Sequence, residues 1–345
     1  MLTPDRKIAI HFDDQLGRIN GKMGHGALRY LPNPVACVID ARQHGRRLRE
    51  VIDFGMDCPV VRGIDDAATC GAEVLILGMA PSGGRLPPSL LADIDAAVTH
   101  GLSIVNGSHE PLTPRYPALP PPQWIWDIRS EPVDLPIASA LAAQLDNLRV
   151  LTVGTDMAIG KMTVALEIVA EARTRGIRSA FLATGQIGIL VGGTGIPLDS
   201  IRVDYACGAV ERMVLEAGDK DLVVIEGQGS LIHPGSTSTL PLIRGSCPTH
   251  LVMCHHAGMT RLLTNDAIAV PPLRELATLY EDVAAACGSF PRPQTAAIAI
   301  NTHGLSDDDA RREIAAIEHD TGIHTIDVVR YGAGSVLDSV WPSRE

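Results

Sequence analysis

The stretch RVLTVGTDMAIGKMTVALEI at 149–168 constrains this 345-residue chain more than any other. An apolar, β-branched run leads into Gly154, a short loop follows, and Gly160 and Lys161 open a segment with helical spacing. A strand that turns through a glycine loop into a helix is the unit of parallel α/β sheets. The same turn converges backbone N–H groups on one point beside a lysine, which suits a phosphate. Its alternative is a tight glycine turn with an exposed lysine. Two features depart from the usual phosphate loop. Five residues rather than four separate Gly154 from Gly160, and Met162 follows Lys161 where a hydroxyl ligand for Mg²⁺ would stand. A thioether serves a hard cation poorly, and Thr163 lies about 100° further round the helix. The loop therefore reads as a phosphate holder poorly equipped to hydrolyse ATP. Its cofactor contacts fall on Gly154, Thr155, Asp156, Gly160, Lys161, Met162 and Thr163.

The rhythm around this loop extends the reading to the whole chain. Strand candidates at 7–12, 35–39, 59–61 and 74–79 precede it, with helical spacing at 90–98 and a further strand entering a loop at 103–112. After it come strands at 149–153, 179–183, 222–226, 250–254 and 296–301 and helices at 161–175, 208–217, 273–286 and 306–319. Ser306 followed by acids at 307–309 is a helix start signal, since carboxylates favour that end of the dipole. The fold class is α/β, and the length argues for two domains. From 111 to 136 run eight of the chain's 24 prolines, which excludes regular helix or a central strand. The division is a domain over 1–110, a Pro-rich connector over 111–145 and a second domain over 146–345. Aromatics are only 3% against 46% hydrophobic residues, so the core is built from Ala, Val, Leu and Ile, as in parallel sheets covered by helices.

A net charge of −11 argues against a nucleic-acid partner, which needs a basic field. Seven cysteines without a C-x-x-C pair read as buried reduced thiols. No leader and no membrane-spanning apolar run stands out, so a cytoplasmic location, no membrane partner and a homo-oligomer are expected.

Other chemistry-bearing residues gather at predicted strand ends. Glu226 closes LVVIE, and Gln228, Ser230 and His233 follow within eight residues. An acid ending a strand beside a phosphate loop orients a metal or a substrate, or else simply caps the next segment. His233 is a candidate base or acid. In CHHAG, one of His255 and His256 should face the same crevice, with His255 taken as a substrate contact. No metal site is expected, because no second ligand pair has suitable spacing. The glycine-dense run at 183–197 reads as a loop open to a ligand, with Gln186 as its polar contact, and Asp204 is a candidate to receive an amino group. In the first half, Asp40 ends VACVID as a candidate base or a plain turn residue. Arg85 and His109 sit on loops at strand ends, while Lys22 and Arg29, in a polar Gly-rich segment, would meet a carboxylate.

GTDMAIGKMT, ATGQIGI, IEGQGSLIHP, MCHHAG and NTHG occur here in an order that resembles the D-glutamate N-acetyltransferase family. The loop and the IEG strand are also similar, more distantly, to dethiobiotin synthetase. The resemblance implies an N-terminal Rossmann-like domain followed by a P-loop NTPase-like parallel α/β domain. It implies an enzyme moving an acetyl group from acetyl-CoA to the amine of a small-molecule amino acid of D configuration. His233 or Asp40 would then serve as base, with backbone N–H groups near 227–230 for the oxyanion. The dethiobiotin synthetase likeness offers an alternative, an ATP-dependent ligase or kinase in which Glu226 helps to place Mg²⁺. A module that senses a nucleotide without chemistry is the third.

Overall fold

The structure is a computed structural model, and it describes residues 2–341 apart from 80 and 264. The chain forms two compact units, Met1–Glu131 with Ile189–Ser200, and Pro132–Gly188 with Ile201–Glu345. Each is a six-stranded, all-parallel sheet flanked by helices.

The first unit contains β1 (Ile8–His11), α1 (Lys22–Tyr30), β2 (Val35–Ile39), β3 (Val60–Val61), α2 (Ile64–Thr69) and β4 (Val74–Leu77). It continues through α3 (Pro88–Thr99), β5 (Ser103–Asn106) and β6 (Ile125–Asp127). The strand order β3-β2-β1-β4-β5-β6 is that of a dinucleotide-binding fold, whose ligands sit beyond the carboxyl ends of the strands. β1, β4 and β5 are buried at every residue, so they carry apolar residues on both faces rather than alternating ones, with polar residues only at the ends of β1 and β5. α3 turns Leu90, Ile94 and Ala97 inward at helical spacing.

Two expectations are corrected here. The stretch assigned to a connector from 111 supplies β6, which pairs with β5, and the first unit reaches Glu131. The prolines are compatible with this because β6 is the sheet's last strand, where unpaired N–H groups are tolerated. The polar Gly-rich segment around Lys22 is instead helix α1. Gly24 lets it close on the sheet: its N–H donates to the Gly78 carbonyl at 2.7 Å, and a Cβ there would stand 2.4 Å from Phe12 Cζ.

The second unit contains β7 (Leu148–Gly154), α4 (Lys161–Thr174), β8 (Ser179–Leu182), the first three residues of α5 (Gln186–Gly192), α6 (Val203–Glu216) and β9 (Leu222–Ile225). Then follow α7 (Thr239–Ser246), β10 (His250–His256), α8 (Leu273–Ala285), β11 (Gln294–Asn301), α9 (Asp307–Thr321), β12 (Thr325–Ile326), α10 (Val328–Tyr331) and α11 (Gly334–Val340). The order is β12-β11-β10-β7-β9-β8, so β7 lies between β9 and β10. Leu151 pairs with Ile225 and Gly154 with Cys254, and this register sets the strand ends of the phosphate loop, the acid and the histidines side by side. α4 covers the sheet with Val164, Ala165, Ile168, Val169 and Ala172. Ser306 caps α9 as expected, its hydroxyl accepting from Asp309 N at 3.2 Å.

The glycine-dense run at 183–197 is corrected from a loop to a segment whose middle is α5. All seven cysteines are free, but Cys70 and Cys287 are exposed, against the expectation that the thiols are buried. Among the described residues no helix is long and apolar enough to cross a membrane.

Gly24→Ala should therefore lower stability by roughly 1–3 kcal/mol, the usual cost of overpacking a tight core. The midpoint of urea unfolding checks this.

Candidate active site at the phosphate loop

Gly160 has φ +107° and directly precedes Lys161, the first residue of α4. That backbone is open to glycine and strained for other residues, so the loop can turn sharply and aim α4's first N–H groups inward. Lys161 does not project into solvent. It is 6% exposed, and its Nζ donates to the Asp156 carbonyl at 2.6 Å. Gly227 leaves the room: a Cβ there would lie 1.7 Å from the Thr152 carbonyl oxygen and 3.0 Å from Lys161 Cδ. Burial pulls the Lys161 ammonium down to about 8, with Cys254, Asp156 and Glu226 pulling the other way.

Glu226 lies one residue past β9 and is buried. Its Oε2 accepts from Thr184 N at 2.8 Å and Gly185 N at 3.1 Å, and the Gln228 side chain bonds it as well. Burial pushes this carboxyl up to about 7, opposed by those hydrogen bonds and by Lys161. Gly188 of α5 is packed on the carboxylate, since a Cβ there would come 2.3 Å from Oε2. In this glycine-dense run, expected to be open to a ligand, the close approach at Gly188 is to the Glu226 side chain. Burial thus brings a lysine and a glutamate, each within the other's field, both toward neutrality, a perturbation typical of functional sites.

The remaining loop residues build the frame. Asp156 is fully buried and accepts from Met157 N at 2.6 Å and from Leu263 N at 2.7 Å. The Thr155 hydroxyl meets His255 Nδ1 at 3.1 Å. Burial, with His256 beside it, lowers His255 to about 4, so this ring is neutral and offers a substrate no charge. Gln186 is buried at the start of α5. The Ser230 hydroxyl is buried and accepts from Ile232 N at 3.3 Å, within its own turn. Met162 and Thr163 are half-buried on the first turn of α4.

His233 is half-buried, and its Nδ1 accepts from Gly235 N at 3.0 Å. A neutral imidazole accepting at Nδ1 carries its proton on Nε2. In this arrangement Nε2 of the neutral ring is a donor.

Two groups escaped the sequence reading. Tyr280 of α8 is fully buried, donates to the Gly154 carbonyl at 2.7 Å and accepts from Leu231 N at 3.0 Å. It ties the phosphate loop to the turn after Glu226. The one signal was a phenol on the apolar face of α8, with Leu276, Ala277 and Ala284. Thr152 Oγ1 accepts from Gly227 N at 2.8 Å, and nothing distinguished it from the other strand residues.

The first unit holds four further candidates, Lys22, Arg29, Asp40 and Arg85. Asp40 is a brace rather than a base: it accepts from the amides of Leu16 (3.0 Å), Arg42 (3.1 Å) and Gln43 (3.2 Å). Lys22 and Arg29 are exposed on α1, with Arg29 4.6 Å over the Phe54 ring. Arg85 is exposed, as is Asp204 on the first turn of α6 in the second unit. No group of three or more His, Cys, Asp or Glu suited to a metal occurs among the described residues.

Sheet order, glycine loop and buried lysine together define a P-loop α/β protein with a Rossmann-like first domain. The chain belongs to the DUF1611 family: residues 136–337 match its C-terminal P-loop domain and 41–131 its N-terminal Rossmann-like domain, both described as of unknown function. A crystal structure of a DUF1611 family protein from Anabaena variabilis is 46% identical with a TM-score of 0.94, covering 97% of this chain and 99% of that one. The D-glutamate N-acetyltransferase of Tritonibacter scottomollicae is 33% identical over 80% of this chain and 84% of its own. The one from a Pseudoalteromonas species is 31% identical over 81% and 86%. The resemblance carried by the five motifs is borne out.

The buried lysine has a consequence for stability. Its folded pKa, about 8, lies below the unfolded value near 10.5, so the unfolded chain binds more protons between those values and stability rises with pH across them. Below about pH 8 the cost of burying the ammonium is fully present. Lys161→Met should therefore raise the melting temperature at pH 7 by roughly 2–6 °C. The gain should shrink as pH rises from 8 toward 10.5, and calorimetry at a series of pH values reads both.

Proposed function

We propose that the protein is an N-acetyltransferase that uses acetyl-CoA and acylates the amine of a D-amino acid resembling D-glutamate. The observation that carries this reading is the likeness, over about four-fifths of both chains, to two proteins named D-glutamate N-acetyltransferase. The loop supports it chemically. Lys161 in its glycine-lined niche, with the first N–H groups of α4, fits an anionic phosphate, and Met162 in place of a hydroxyl fits a phosphate held without Mg²⁺.

Acetyl-CoA supplies an activated acyl carbon. The acceptor's neutral amine forms the C–N bond, the C–S bond breaks, and the amine gives up a proton as thiol is released. In this reading Lys161 stays protonated and trades the Asp156 carbonyl for phosphate oxygens. Glu226, poised near neutrality, accepts the amine's proton and returns it to the departing sulfur. His233 Nε2–H stands as a donor for the negative charge that develops on the acyl oxygen. An ATP-dependent ligase or kinase is the second reading, favoured by a buried carboxylate at the end of β9, the strand beside the loop.

Free thiol should appear from acetyl-CoA with D-glutamate in the absence of ATP and Mg²⁺. Release no faster than the enzyme-free blank across a panel of D-amino acids, or substrate-dependent ADP formation from Mg·ATP, would overturn the transferase. Glu226→Gln should lower kcat by about 10²-fold or more. The pH profile of kcat/KM should be a bell. Its acid limb lies near 7, where Glu226 must ionise, and its alkaline limb near 8, where Lys161 loses its proton.

A further inference from the structure

Arg129 follows β6 by two residues, and His109 follows β5 by three. They belong to the loops beyond the carboxyl ends of these strands, the region where parallel sheets bind ligands. Asp199 joins them from Ile189–Ser200, which belongs to the same compact unit. Arg129 Nη2 lies 2.9 Å from Asp199 Oδ2, and His109 Nε2 lies 3.9 Å from the same oxygen.

The guanidinium is under-coordinated. Its side chain is 9% exposed, yet Nε is shielded from solvent and has no hydrogen-bond partner among the described residues. The contrast lies in the same chain. The buried Arg149 gives its Nε to the Cys247 carbonyl at 3.0 Å and its Nη1 to Leu145 O, Asn147 O and Asn147 Oδ1. Arg149 is finished as a structural residue, whereas Arg129 has donors to spare. Leaving such an N–H unmet costs free energy. Its surroundings are also graded in exposure: the side chain of its partner Asp199 is 41% and that of His109, beside Asp199, 48% open to solvent. Solvent thus reaches the carboxylate and the imidazole first, and the guanidinium lies deepest.

We propose that Arg129 and Asp199 form a recognition site for the zwitterionic head of an amino acid, the guanidinium taking the carboxylate and Asp199 the ammonium. The ligand class follows from charge balance. A buried guanidinium needs a counter-ion at all times, and in the free protein Asp199 supplies it. A zwitterion replaces one internal pair with two external ones, so neither charge is abandoned. A carboxylate without an amine would displace Asp199 and leave it facing like charge, so it should bind more weakly than the zwitterion, and a simple amine would strip Arg129 of its partner. His109 lies on the open side. Partial burial and the Arg129 charge hold its pKa below the ordinary value, against the pull of Asp199, so the neutral ring can accept from the ammonium. This site deepens the transferase reading and rests on it for the identity of the acceptor amino acid.

Titration calorimetry with D-glutamate and with glutarate, which lacks the amine, tests the assignment on the full chain. Arg129→Gln should weaken both ligands by about 30-fold or more. Asp199→Asn should weaken D-glutamate by a similar factor while leaving glutarate unchanged or tighter, because the internal competitor is gone. If Asp199 merely anchored its segment, both ligands would be lost in parallel. That parallel loss overturns the proposal, as does a D-glutamate Kd within twofold of wild type in either variant, or no amino-acid binding by wild type. Should Arg129→Gln fail to fold in a thermal melt, Arg129→Lys keeps the charge without the planar fork and should show a smaller loss of the same pattern. Wild-type acetylation with unmoved KM in the variants removes the site and spares the transferase. Ligand binding that follows the expected pattern without any wild-type turnover does the reverse.

Discussion

The second unit is organised around one buried ammonium. Lys161 opens α4 behind a left-handed glycine and turns back onto the Asp156 carbonyl, with Glu226 supplying opposite charge from the neighbouring strand. Much of the surrounding detail makes this tolerable. Gly227 vacates the space for the side chain, Thr152 fixes the Gly227 amide, and Tyr280 clamps the Gly154 carbonyl to the turn at Leu231. A charge kept out of water without an ideal partner is a stored cost, typical of a place where an anionic ligand is to be received.

The electrostatics of this crevice separate residues that look alike in the sequence. Three histidines lie at or beyond the ends of apolar strands near the loop, and each meets a different fate. His255 is buried and neutral against Thr155, His256 turns its Nδ1 to the Ala257 carbonyl at 3.1 Å, and His233 is held as a donor by the Gly235 amide. Asp40 and Glu226 differ likewise. Both end strands, but Asp40 is occupied by three amides in a turn, while Glu226 lies beside a lysine with its pKa near neutrality.

How far the sequence could be read depended on the range of the forces involved. The phosphate loop, its flanking strand and helix, the acid-ended strand and the Ser306 cap are local patterns, and each stands where the residues implied. Elements set by tertiary contact were invisible. α7 carries Pro241 in its first turn, where no intrahelical N–H is needed, and β6 is a three-residue edge strand within a proline-rich stretch. Helix α1 was obscured by the very glycines that let it touch the sheet. Tyr280 is over a hundred residues from the loop it holds, and Arg129 and Asp199 are 70 apart in a pairing that no periodicity encodes.

The division of the chain into units is not a division at one point along it. Twelve residues, Ile189–Ser200, return to the first unit after the second has begun. A fragment ending at Glu131 would therefore lack part of its own body, including the carboxylate that neutralises Arg129. Such an interleaved chain resists recombination by simple fusion: a junction at Glu131 would take Ile189–Ser200, with Asp199, from a different parent than Arg129.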